Sequence, residues 1–318
     1  MQRPRYYPGL FWLSLATATM AFILIGSGGT VTSTGVGMVD HSWSFEPVKL
    51  LTVRGLEEAM KSLGMFIEHS HRQLGYIVGM LALTLASYCL AVEQGYRRWL
   101  GVAVLLAVAI QGALGAARIL LFPRQGIIDI SLGRDFAMIH GFFGQVTFAF
   151  LAGCTLAFSR SWVSRVQVSI SRYQEYLNFS NLLVVLFLVQ LMLAVLVRHY
   201  GGTLLILAHA SMAALILIFT GLLVWQVRSM DGSIVAWPVY ALGLEVLMMI
   251  LLGTAAWWMG GGSGALVDDT PAQELLHRMT LATLHQWLGA LTLATSLIVA
   301  MRVRQHLIPA NPTGGETA

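Results

Sequence analysis

Eight uninterrupted apolar stretches decide what this chain can become. They run at about 9–31, 65–92, 99–121, 136–158, 180–199, 203–226, 237–259 and 277–301 of its 318 residues. A helix needs about 20 mostly apolar residues to cross a hydrocarbon core roughly 30 Å thick. The runs are continuous rather than alternating, which excludes a transmembrane β-barrel. Only 11% of the residues are charged and 57% are hydrophobic, whereas a soluble domain carries roughly a quarter charged residues. Such a chain cannot cover its own surface with polar groups. A soluble enzyme, a nucleic-acid-binding protein and a disordered chain are therefore excluded, and the lipid bilayer is the expected surrounding. The net charge of +4 needs no nucleic acid, because membrane proteins keep basic residues in cytoplasmic loops. Only Cys89 and Cys154 are present, both inside apolar runs, so neither a disulfide framework nor a Cys-rich metal site is available.

The fold class expected is all-α and integral to the membrane, with short connections such as EQGYRRW and VRSMDGS joining antiparallel neighbours. The opening MQRPRYY and the run after it read as a first span. That run is long for a signal core, and no small-residue cleavage site follows. No room precedes it for a mitochondrial transit peptide, which favours a bacterial inner (cytoplasmic) membrane. With both termini cytoplasmic, the inner side holds Arg3, Arg5, Arg97, Arg98, Arg160, Arg165, Arg172, Arg228, Arg302 and Arg304. The outer side holds Lys49, Arg54, Lys61, Arg124 and Arg134, with Arg72, Arg118, Arg198 and Arg278 at outer helix ends. The bias follows the positive-inside rule once those four helix-end arginines are held by something else.

An internal repeat divides the chain. His71 and His209 are 138 residues apart, and so are Gly115 and Gly253; His140 and His285 are 145 apart. The expectation is two four-helix bundles, residues 1–175 and 176–318. Each crosses the membrane an even number of times, which makes them parallel repeats rather than the inverted pair common in transporters.

Four of the nine histidines share one setting. His71, His140, His209 and His285 lie near the starts of the second, fourth, sixth and eighth runs, hence at similar depth near the outer leaflet. An imidazole pair facing across a four-helix bundle can supply both axial ligands of a heme iron. Each is followed four residues later by a small residue, Gly75, Gly144, Ala213 or Gly289, where a missing side chain lets a flat macrocycle lie against the backbone. The ordinary alternative is a hydrogen-bonded core histidine beside a close helix contact.

Glu68 stands three residues before His71, on the same helical face, and an ionisable group within a membrane is a functional candidate. Its alternative is a carboxylate stabilised by a helix N-terminus. Arg72, Arg118 and Arg198 sit where heme propionates would reach the outer boundary and can hold carboxylates in bidentate fashion; snorkelling to the interface is the other reading. Glu245 is isolated in the seventh run. Trp257 and Trp258 suit an interfacial belt. Asp268 and Asp269 lack the paired aspartate-rich motifs that hold Mg²⁺-diphosphate, which argues against a prenyltransferase.

Several segments together resemble heme A synthase. EHSHRQLG is similar to that family's Glu-x-x-His-Arg motif through Glu68, His71 and Arg72, and QGALGAARI to its Gln-Gly-x-Leu-Gly stretch through Gln111, Gly112 and Gly115. GGTVTSTGVGM resembles the Gly-rich end of the first helix and VRHYGG the matching place on the fifth. His140, His209 and His285 fall where the family keeps its other heme ligands. The likeness spans about residues 10–305. Two features depart from it: VDHSWSF stands where the family has Pro-Asp-Trp-Pro, and the outer-loop Cys pair of some members is missing, so a thiol redox role there does not apply.

The resemblance implies conversion of heme O into heme A by oxidation of a ring methyl to a formyl group, with Glu68 as the catalytic carboxyl. It implies a permanent heme b on His209 and His285 in the C-terminal half, and substrate heme O on His71 and His140 in the N-terminal half. It also implies heme O synthase and terminal oxidase assembly as partners, together with an electron donor that the sequence does not specify. A bis-His di-heme membrane cytochrome that only passes electrons is the competing expectation, having the same histidines but no use for Glu68. A heme or small-solute transporter is a more distant one.

Overall fold

The computed structural model describes residues 5–37, 39, 57, 62–121, 130–164, 166–230, 234–259 and 272–309. Among these residues eight long helices account for nearly all of the chain: α1 (Pro8–Thr34), α2 (Leu63–Val92), α3 (Arg97–Leu121), α4 (Ile130–Phe158), α5 (Tyr173–Tyr200), α6 (Thr203–Val227), α7 (Ala236–Met259) and α8 (Ala272–His306). All eight have the length and apolar character of a membrane span. The protein is a multi-pass, all-α membrane protein, as the apolar runs dictate. The basic residues at 3, 49, 54, 61, 124 and 165, the Asp268–Asp269 pair and most of VDHSWSF lie outside the described residues.

Helix ends follow local chemistry. Pro8 opens α1, where its missing N–H costs nothing. Ser62 caps α2 by accepting the Met65 N–H at 3.1 Å. Gly35 closes α1 in the left-handed region at φ 67°, a conformation that a side chain would penalise. Several helices outrun the apolar stretches, α4 by six residues and α5 by seven at their starts. Hydropathy marks the part of a helix that needs lipid, whereas backbone hydrogen bonding continues into the polar margin.

The helices close two rings. In the first, α1 packs on α2, α2 on α3, α3 on α4 and α4 back on α1; in the second, α5 packs on α6, α6 on α7, α7 on α8 and α8 back on α5. The rings meet where α1 and α4 contact α8, and where α4 contacts α5. Phe22 of α1 stacks on Trp287 of α8 at 4.8 Å and on Phe148 of α4 at 5.3 Å, filling this seam with aromatic surface.

Packing is uneven along the membrane normal. Apart from Glu68, α2 has no fully buried residue before Val78; α4 reaches its first at Gln145, α6 at Ile216 and α8 at Ala290. Beyond those points the interior is solid, with Ala82, Leu85, Leu151, Leu223, Leu242 and Leu293 among the buried side chains. One end of each ring is therefore a packed floor. The histidine-bearing end is more open, although Val31, Ile119 and Val195 are buried there.

At the floor end a feature absent from the hydropathy pattern joins the two halves. Val168–Ile170 and Leu307–Pro309 form a two-stranded parallel sheet, with Val168 opposite Leu307. His306 Nδ1 lies 2.7 Å from the Val166 carbonyl and Gln305 donates to the Trp162 carbonyl at 3.1 Å. Nearby, Glu93 and Arg97 form a buried ion pair at 2.6 Å, and the Arg97 guanidinium also lies over the Phe158 ring. Burial pushes the Glu93 carboxyl up while Arg97 pulls it back down. Removing one member of a buried pair strands the other charge. Arg97→Ala should therefore cost roughly 2–4 kcal/mol, read as a lower unfolding midpoint of the detergent-solubilised protein; an unchanged midpoint would show that the pair contributes nothing.

Candidate functional site

The open end of each ring holds two imidazoles on opposite corners. His71 of α2 and His140 of α4 lie with ring centroids 6.5 Å apart and planes at 90°. His209 of α6 and His285 of α8 lie 6.2 Å apart with planes at 70°. The four residues are only partly buried, yet each faces its partner across the ring rather than lipid. They front space, not packed side chains. The glycines one turn further on agree: a Cβ on Gly75 would meet nothing within 4 Å, and one on Gly144 only Gln111 Oε1 at 3.7 Å. Gly289 is closer-packed, against Met249 Cε at 3.3 Å.

These separations can be tested against a shared metal. An imidazole nitrogen bonds a first-row metal at about 2 Å and lies roughly 1.1 Å from its ring centre, so two trans imidazoles place their centroids about 6.2 Å apart. Both pairs match that spacing. No group of three or more His, Cys, Asp or Glu is clustered as a metal site among the described residues. A two-ligand arrangement suits a metal whose other positions are filled by a macrocycle.

The rings are seated on glycines. A Cβ on Gly28 of α1 would stand 3.0 Å from His71 Cε1, one on Gly253 of α7 2.9 Å from His285 Cε1, and one on Gly115 of α3 3.5 Å from His140 Cε1. Backbone carbonyls of Leu24, Met249 and Gln111 face the same three rings. The Nδ1 atoms of all four histidines are buried without a completed hydrogen bond. His209 differs in setting, because its Nε2 lies 3.3 Å from Gln190 Nε2 of α5.

Glu68 is buried at 3% exposure and tied down: Arg72 donates to Oε1 at 2.5 Å and the Val39 backbone N–H to Oε2 at 2.7 Å. Two residues given separate sequence roles thus form one unit on adjacent turns of α2. Arg118 of α3 has no ion pair or hydrogen bond among the described residues, and its Nε is buried. Its Nη1 lies 2.9 Å from where a Gly37 Cβ would stand. Arg198 of α5 reaches across the seam to α1, donating to Ser33 Oγ at 2.8 Å and to the Gly29 carbonyl at 3.2 Å. Ser33 also pairs with Thr283 of α8 at 2.9 Å. Trp287, two residues past His285, donates to the Phe22 carbonyl at 2.6 Å. Glu245, isolated in sequence, accepts from Thr295 Oγ1 of α8 at 3.0 Å.

Sequence reasoning did not find Gly28, Gln190 or Trp287. A sharper signal was available for part of this set, because Gln111 and Met249 are themselves 138 residues apart, each four residues before the glycine that seats a histidine. Compared with models of known protein families and with curated protein sequences, the chain has no match.

Arg198 carries two polar contacts between the rings, one of them to a backbone carbonyl, and hydrogen bonds from charged groups are the stronger kind. Arg198→Ala should lower stability by about 2–3 kcal/mol, visible as earlier thermal unfolding. If Arg198 merely snorkels at the interface, the midpoint will not move.

Proposed function

We propose that this protein binds two iron porphyrins, each between a histidine pair, and oxidises a ring methyl of one of them, converting heme O to heme A. The observation that carries the reading is the pair of imidazole separations, 6.5 and 6.2 Å, recurring at the loosely packed ends of two separate helix rings. The resemblance of EHSHRQLG and QGALGAARI to heme A synthase motifs adds the reaction. His209 and His285 would hold heme b as the permanent cofactor, and His71 and His140 the substrate. Bound iron porphyrin supplies one-electron redox chemistry at the site.

The chain's own residues provide the rest. The helices would hold a macrocycle between His71 and His140, and a second between His209 and His285, above the packed floor. Arg72 and the Val39 N–H hold the Glu68 carboxylate in one orientation beside His71, so that it can take up a proton released as the methyl is oxidised. Arg118, with the Glu68 carboxylate nearby but no ion pair or hydrogen bond of its own among the described residues, is a guanidinium that could hold a propionate. Arg198 is already engaged with α1 and suits that role less well. The Trp287–Phe22–Phe148 stack fills part of the seam between the two rings. Heme O synthase and terminal oxidase assembly factors are the proposed partners before and after the step. Because methyl to formyl removes four electrons and adds one oxygen atom, the step also takes dioxygen as oxidant together with an electron donor outside the chain. The proposed setting is a bacterial inner membrane, and the distribution of arginines favours cytoplasmic termini.

The deciding experiment is mass analysis of tetrapyrroles in cells co-expressing the protein with a heme O source. Heme A or a hydroxylated intermediate is expected; heme b alone, with heme O untouched, would return the protein to a di-heme electron carrier. Glu68→Gln should keep both pigments bound while methyl oxidation stalls, perturbing an orientation that depends on Arg72; normal heme A output from it would remove Glu68 from the reaction. His209→Ala should strip the permanent heme and its low-spin absorption, and an unchanged holo-spectrum would contradict that assignment.

A further inference from the structure

Three of the four imidazoles share a seat that none of the roles above requires. In each, the ring's Cε1 lies nearest a glycine of the neighbouring helix, with Nδ1 slightly the nearer of the two nitrogens. At Gly253 a Cβ would stand 2.9 Å from His285 Cε1 and 3.3 Å from Nδ1, with Nε2 further off at 3.6 Å. At Gly28 the corresponding distances to His71 are 3.0, 3.6 and 3.8 Å. At Gly115 the His140 Cε1 and Nδ1 lie at 3.5 and 4.0 Å. The carbonyl facing each ring belongs to the residue four positions before that glycine: Leu24 for Gly28, Gln111 for Gly115 and Met249 for Gly253. In an α-helix that carbonyl already accepts the glycine's own N–H. A carbonyl oxygen has a second lone pair, and a residue without Cβ at the fourth position leaves it open to a side chain from the next helix.

We propose that Gly28, Gly253 and, less tightly, Gly115 are positioning residues for heme ligation. Each lets an imidazole approach the helix closely enough for its buried Nδ1, which has no completed hydrogen bond here, to donate to a helix carbonyl when Nε2 ligates the metal. A ligating histidine whose other nitrogen donates to a backbone carbonyl is fixed in tautomer and orientation and is a more basic ligand. His209 is the exception. Its neighbour on α5 is the Gln190 side chain, and four residues beyond Gln190 stands Ala194 rather than glycine. That contact falls on Nε2, the nitrogen left to ligate in the other three, so no such seat is assigned to His209.

This inference rests on the heme reading, and its test separates the two. The protein is purified with its pigment, and low-spin ferric EPR signals, redox midpoint and heme retention are compared for Gly28→Ala, Gly253→Ala and Gly115→Ala. Two preparations of Gly221→Ala serve as controls, because a Cβ there meets nothing within 4 Å and the residue lies beyond Ile216, at the packed end of α6. Disturbing such an outer partner costs roughly 10- to 100-fold in metal affinity. Gly253→Ala and Gly28→Ala should therefore lose heme on detergent washing at least tenfold more readily, or shift their low-spin signal. Gly115→Ala should be milder, and the controls should match the unaltered protein. Unchanged signals and retention in Gly253→Ala and Gly28→Ala overturn the inference while leaving heme binding intact. An unaltered protein with no low-spin heme overturns the heme reading itself and the inference with it. Should the alanine variants fail to accumulate, pulsed EPR of the unaltered protein decides: remote-nitrogen couplings typical of a carbonyl-bonded Nδ1–H support the seat, and couplings of unbonded imidazole refute it.

Discussion

An imidazole placed among hydrocarbon side chains must find something for its nitrogens, since an unsatisfied polar group away from water costs kilocalories. Here four of them are brought in pairs to the open ends of two helix rings, and each pair faces inward across a gap of about one metal atom and its bonds. Much of the surrounding architecture answers to that demand. The floor beneath is packed with aliphatic side chains, so the gap cannot collapse downward. The glycines of α1, α3 and α7 bring neighbouring backbones close enough to brace the rings from behind. Glu68, Arg72 and Arg118 place charge at the same end of the first ring.

The seam between the rings is built differently from either interior. It joins stacked aromatic surface from Phe22, Trp287 and Phe148 to a cluster of small polar groups around Ser33, Thr283 and Arg198. Small residues along α1, such as Gly26 beneath the Trp287 ring, let the first helix lie deep between its neighbours. α1 therefore belongs to one ring by connectivity and to the contact between rings by packing. A change in α1 should be felt at both histidine pairs.

The helices and the pairing of His71 with His140 and His209 with His285 were legible because hydropathy and repeat spacing are properties of the chain alone. Helix ends were less so: α4 and α5 begin before their apolar runs, as backbone hydrogen bonds need no hydrophobicity to continue. What spacing could not give was the neighbour across a contact. Glu245 has no sequence-adjacent partner, and its Thr295 hydroxyl comes from another helix. Gly28 reads as one of many small residues in a Gly-rich run until the His71 ring is found against it. The Val168–Ile170 strand went unseen because three residues carry no usable periodicity; its partner lies beyond four intervening helices.

That short parallel sheet bears on how the protein is made. Its strands are separated by about 140 residues of chain, so the clasp can form only when nearly the whole polypeptide has left the ribosome. At roughly 5–20 residues per second, the amino-terminal ring would wait on the order of 7–30 s, already inserted, before the last turn of α8 arrives to latch the loop that follows α4. During that interval the pocket on His71 and His140 would exist in a chain whose second ring is unfinished.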